Sequence, residues 1–310
     1  MSRRQIFKTT ATLAIAALTL AACSDGDGGG QGSSQPQGES LQLTLGTKNF
    51  TESVLTGELY AQALRADGIQ VTLRKDIGPT EDVDKALEAG DIDAYPEYLG
   101  VAATVVAGED VVGKTSEETS KIARDFYASR GQTVSEETPF ENVDAIAVST
   151  PFARDNSLRT IADLGELSSF TLGARPEFED RAQGFAGMQN VYGLPNAVFT
   201  PTDLDKTYDA LFDGDVDAAN VFSTDAQLES GDYRVLEDPE RVFGYQHLAL
   251  VIDDDTLAAL GGADFMKSIE DVNKELTQDV MIELNGAVDL KDQDPADVAE
   301  SLLREKNLLN

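Results

Sequence analysis

Leu41, Leu43 and Leu45 alternate with polar residues, which predicts a strand over 41–45. From Thr51 to Ala66 the spacing changes to that of a helix, with Val54, Leu55, Leu59 and Ala63 on one face. Alternation returns over Ile69 to Leu73, helical spacing over Asp82 to Ala89, and a short strand over Ile92 to Tyr95. A helix is predicted from Thr115 to Arg130 and a strand from Val143 to Val148. The same grammar then restarts: strand Phe170 to Leu172, helix Gly184 to Tyr192, strand Ala197 to Phe199, helix Leu204 to Phe212, strand Ala218 to Phe222. Leu248 to Ile252 reads as a returning strand, and Leu257 to Leu303 as mainly helical, with Asp294 capping a helix that has Pro295 in its first turn. Strands alternating with helices predict an α/β fold with largely parallel sheets.

The restart is visible in the letters themselves. Ala86-Leu87-Glu88-Ala89-Gly90-Asp91-Ile92-Asp93-Ala94 reappears as Ala210-Leu211-Phe212-Asp213-Gly214-Asp215-Val216-Asp217-Ala218. Tyr98 and Phe222 follow the two copies at the same distance. Taken singly, each copy is a common joint in which a helix ends at glycine and a buried strand begins. A recurrence this far apart is too long for a solenoid repeat and points to two similar lobes, each presenting an aromatic residue from an equivalent place. Leu45-Gly46-Thr47-Lys48 and Leu172-Gly173-Ala174-Arg175 form a second, weaker pair, each closing a strand-like run with glycine and then a cation. The expected organisation is a first lobe from 41–142 and 248–310, a second from 143–247, and two hinge crossings between them. Closure of such a plan around a ligand is its usual use.

Residues 1–22 read as an export signal, with Arg3, Arg4 and Lys8 before an apolar run from Ala11 to Ala22 that is too short to span a bilayer. Leu20-Ala21-Ala22-Cys23 is similar to the end of a bacterial lipoprotein signal, which makes Cys23, the single cysteine, the expected lipidation site. Arg3-Arg4 also fits a twin-arginine route. Residues 23–40 are rich in Gly, Ser and Gln and are expected to be a flexible tether. The predicted location is extracytoplasmic and membrane-anchored, and one cysteine leaves no internal disulfide.

Acids outnumber bases by 56 to 24, for a formal net charge of −32. That excludes nucleic acid as a partner, because phosphate binding needs a basic face. Catalytic patterns are thin: His247 is the only histidine, and no G-x-S-x-G, H-E-x-x-H or P-loop occurs. His247 beside a hinge strand reads as structural. Asp253-Asp254-Asp255 and the acids from Asp289 to Asp297 lack the twelve-residue calcium loop with its glycine and terminal glutamate. The reading is a monomeric binding protein, not an enzyme, with no cofactor or metal. Tyr98, Phe222 and Tyr245 stand at ends of elements, and aromatic faces attract cations by roughly 0.5 to 2 kcal/mol per ring.

Four segments then carry a resemblance: Gly46-Thr47-Lys48-Asn49-Phe50-Thr51-Glu52, Gly90 to Tyr98, Glu177-Phe178-Glu179-Asp180-Arg181 and Phe222-Ser223-Thr224-Asp225. In order and spacing they resemble the glycine betaine, choline and carnitine binding proteins of ABC importers. The resemblance implies a type II periplasmic-binding-protein fold and delivery of an osmoprotectant to a membrane permease. It also implies that Lys48 and Arg181 hold a carboxylate while Tyr98, Phe222 and Tyr245 wall a quaternary ammonium. The remaining cage tyrosine of the family falls on Asp144, and a polar position after the first cage tyrosine falls on Val101. Asp144 either faces the cleft and attracts the cation, which admits choline, an ergothioneine-like betaine or a protonated amine, or turns away to bind backbone at the hinge. A binder of amino acids and a surface interaction or sensory lipoprotein are the rival readings.

Overall fold

The computed structural model describes residues 41–309. The expected leader, the Cys23 lipidation site and the tether lie outside the described residues. Among the described residues there are ten strands: β1 Gln42–Gly46, β2 Gln70–Arg74, β3 Ala94–Tyr98, β4 Gln132–Val134, β5 Asp144–Ser149, β6 Phe170–Ala174, β7 Ala197–Pro201, β8 Ala218–Phe222, β9 Tyr233–Leu236 and β10 Leu248–Asp253. They form two five-stranded sheets, ordered β2-β1-β3-β10-β4 and β7-β6-β8-β5-β9. The two orders are the same plan used twice. β1 pairs in parallel with β2 and β3, and β6 with β7 and β8.

Each sheet is mixed where largely parallel pairing was expected. β10 runs antiparallel to β3 and β4, and β5 antiparallel to β8 and β9. β5 and β10 are the strands that arrive from the other sheet. A strand entering from the side where its neighbours end must run against them. The carboxyl ends of β1, β3, β6 and β8 therefore face the crossings, which is where open α/β sheets bind ligands.

The helix Thr51–Ala66 has the expected bounds and buries Leu55, Leu59, Tyr60 and Leu64 against Leu43 and Leu45 of β1 and Leu250 of β10. Helices Ala263–Glu275, Gln278–Asp289 and Pro295–Glu305 complete that core. The Asp294 carboxylate accepts the Ala296 N–H at 2.8 Å, as a cap before Pro295 should. The second sheet has a core of its own around Ile146, Phe170, Leu172, Phe178 and Phe243. The repeated motif is the same joint in both sheets: a helix ends, Gly90 (φ 71°) or Gly214 (φ 76°) takes the left-handed conformation, and β3 or β8 begins. Tyr98 and Phe222 are the last residues of these two equivalent strands. Among the described residues no helix is long and apolar enough to cross a membrane.

Candidate ligand-binding cleft

Five of the six predicted binding residues, Lys48, Tyr98, Asp144, Arg181 and Phe222, line one cavity of about 50 Å³. Lys48 and Tyr98 belong to the first sheet's side, and Asp144, Arg181 and Phe222 to the second's. Tyr98 is held by its hydroxyl, which donates to Glu52 Oε1 at 2.6 Å. The buried Glu52 carboxylate also accepts Asn142 Nδ2 and Asn285 Nδ2, both at 2.8 Å, so three side chains donate to it. Burial and the Glu52 carboxylate push the Tyr98 phenol far above its ordinary value, so the ring stays neutral.

Lys48 is the second residue after β1. Its ammonium pairs with Glu97 and lies 4.7 Å from the centroid of the Tyr98 ring. Burial lowers the Lys48 pKa; Glu97 opposes the shift, whereas the nearby Arg181 and Arg175 guanidinium groups add to it. Arg181 reaches across from the second sheet's side to Glu81 in helix Thr80–Glu88, with both oxygens 3.1 Å from Nη2. Its Nε is buried and has no hydrogen-bond partner. Burial raises the Glu81 carboxyl, but the Arg181 charge and the other bonds outweigh it and leave the pKa lowered.

Asp144 corrects both sequence readings. It lines the cavity, yet its oxygens are taken by the buried Arg175 in a two-pronged pair at 2.7 and 2.9 Å, with Asn220 Nδ2 at 2.9 Å. A buried guanidinium needs anions beside it, and Asp144 supplies the two-pronged one, with Glu177 Oε1 3.3 Å from Nε. Asp144 is no free carboxylate for a ligand's cation. The Arg175 guanidinium lies 5.2 Å from the centroid of the Phe222 ring, the mirror of Lys48 over Tyr98. The weak correspondence between Lys48 and Arg175 was the signal for this residue: each follows an equivalent strand and each sits over the ring of its own sheet.

Tyr245 is not brought into the cavity. Arg241 lies 5.0 Å from its ring centroid, and the lining at this point comes from Gln246, whose Oε1 accepts the Val101 N–H at 3.0 Å. Phe50 is the aromatic residue that sequence reasoning missed. Its ring stacks on Tyr98 (6.2 Å, 27°) and on Phe222 (5.7 Å, 25°) and lines the same cavity. His247 is structural, with Nδ1 3.0 Å from the Phe140 carbonyl oxygen. Among the described residues no three histidine, cysteine or acidic side chains converge as metal ligands would.

A family model described as the substrate binding domain of the ABC-type glycine betaine transport system matches residues 42–305. The chain belongs to this family. Like this binding domain, a glycine-betaine-binding protein of Pseudomonas aeruginosa is built at similar length: it is 27% identical over 289 residues, covering 88% of this chain and 90% of that protein. The ergothioneine transport permease/ergothioneine binding protein EgtU of Helicobacter pylori is 26% identical over 274 residues. That match covers 87% of this chain, which spans about half (48%) of the relative's length. A solved glycine betaine/carnitine/choline ABC transporter structure superposes with a TM-score of 0.70 at 24% identity, covering 86% of this chain and 100% of that one. The fold of this family member is therefore that of the type II periplasmic-binding proteins. The family is one of substrate-binding domains of ABC-type transport systems.

Proposed function

We propose that the protein captures a zwitterionic quaternary-ammonium solute such as glycine betaine outside the cytoplasm, tethered to the membrane through lipidated Cys23, and hands it to an ABC permease. One observation carries the reading: a single cavity gathers rings and cations from both sheets' sides, Tyr98, Phe50 and Lys48 from one and Phe222, Arg175 and Arg181 from the other. The rings suit the ammonium end and the cations the carboxylate end. Arg181 keeps an unpartnered N–H there, and Lys48, whose pKa is lowered chiefly by burial and to a lesser degree by the Arg181 and Arg175 charges, would gain from a ligand carboxylate beside it. With Asp144 neutralised by Arg175, the cavity offers a bare cation such as choline little to replace a carboxylate.

Calorimetric titration with glycine betaine, carnitine, choline, ergothioneine and glycine tests this. A zwitterionic betaine is expected to bind more tightly than choline, and glycine not to bind. Lys48→Ala with Arg181→Ala should weaken the betaine at least about tenfold more than choline, each lost charge-assisted bond being worth about 1.5–3 kcal/mol. Equal losses for the two ligands would sink the carboxylate clamp, and silence across the panel would sink the solute class.

A further inference from the structure

We propose that Phe50 is the third ring of the cation cage, filling the role that residue 144 cannot, and so sets the preference for a charged over a neutral head group. The inference deepens the ligand reading above and rests on it. Of the expected aromatic walls, only Tyr98 and Phe222 face the cavity; Tyr245 is turned to Arg241, and the place of a fourth ring is taken by Asp144, bound to Arg175. Two rings leave much of a trimethylammonium group uncovered. Phe50 stands between those two, within about 6 Å of each and nearly parallel to both.

Its backbone explains how one loop serves both ends of a ligand. Lys48 and Phe50 leave the carboxyl end of β1 together, with the Lys48 N–H bonded to Ser53 Oγ at 2.9 Å and the Phe50 carbonyl accepting the Val54 N–H at 3.2 Å as helix Thr51–Ala66 begins. The main chain at Phe50 is thus pinned on both sides while its ring is only partly buried. Beyond the ring, bordered also by Phe222, lies an open cleft of about 790 Å³. The ring has space to turn into without moving the helix. Turning it toward that cleft frees the slot between Tyr98 and Phe222 for the ammonium and leaves the Phe50 face as a third aromatic side of it.

The test compares glycine betaine with tert-butylacetate, which has the same shape with a carbon in place of the charged nitrogen. Calorimetry on the full chain gives the affinity ratio of the two for the wild type, Phe50→Leu and Phe50→Tyr, with melting curves to show that each variant is folded. Leucine keeps bulk and removes the π face, so the ratio should fall about 2- to 30-fold, the value of one cation–π contact. Tyrosine should hold the ratio within about twofold of wild type. An unchanged ratio in Phe50→Leu overturns the proposal, and if both ligands bind more tightly there, Phe50 is only a plug. A wild type that binds neither compound overturns the ligand reading itself, whereas a wild type that prefers the betaine while Phe50→Leu keeps its ratio overturns this inference alone.

Discussion

Asp225→Asn should make the protein more stable above neutral pH and flatten its pH dependence. Asp225 sits just beyond β8, where its Oδ2 accepts the Phe222 N–H at 2.9 Å and the Tyr208 hydroxyl at 2.8 Å. Burial pushes its carboxyl up from 3.8 to about 7; the two hydrogen bonds oppose the rise, and the Glu52 and Asp289 carboxylates add to it. A pKa raised in the folded state gives a stabilising contribution that is complete below the ordinary carboxyl value and is lost as pH rises through about 7. The gap of about three pH units, at about 1.36 kcal/mol each, amounts to about 4 kcal/mol. An asparagine amide oxygen can accept both hydrogen bonds without ionising. Urea unfolding from about pH 4 to about pH 8 should show the wild type losing up to that amount while the variant does not, and groups common to both proteins cancel in the difference. Parallel curves across the range would refute the reasoning, because they would mean that Asp225 ionises as easily inside the fold as outside it.

Asp144→Asn should destabilise by about 1–3 kcal/mol in urea unfolding, since it removes the two-pronged partner of the buried Arg175 guanidinium and leaves it only the Glu177 carboxylate, 3.3 Å from Nε. The double change Asp144→Leu with Arg175→Met should be more stable than Asp144→Asn alone, and a double variant that is weaker still would argue against an electrostatic origin. Gly100→Ala should lower stability by about 1–3 kcal/mol, because the added Cβ would stand 2.2 Å from the Tyr245 carbonyl oxygen and 2.6 Å from Gln246 Nε2. A melting temperature equal to wild type would show that the 245–246 segment yields freely.

Much of the fold was legible because its information is local. Helical spacing marked Thr51–Ala66, and glycine after a short helix marked both joints into β3 and β8. The antiparallel strands were not, since their direction depends on which sheet the chain has just left. The short edge strands β4 and β9 carry too few residues for alternation to show. In the site, Tyr98 and Phe222 were legible because each ends a strand that follows the recurring motif, whereas Lys48 and Arg181 were picked out by the family resemblance of the segments around them. The partner of Asp144 was hidden for a different reason. Arg175 meets it only through the register of β5 on β8 and the packing of β6 beside them, where Asp144 stands opposite Phe222. Phe50 was quoted as part of a motif, but nothing in its neighbourhood along the chain says that its ring lies between two others. Tyr245 was misleading because the next residue, Gln246, is the one that turns inward.

The two crossings are laced together: Glu141 and His247 form an antiparallel bridge, and the Asn142 N–H donates to the Gln246 carbonyl at 3.0 Å. A two-ply ribbon bends and twists far more readily than its plies slide past each other. The sheets are therefore expected to move like a door on one pin, with opening angle as the single coordinate. Solute size then becomes an angle, because any atom wedged between Lys48 and Arg181 near the pin is magnified into a larger gap at the outer rim.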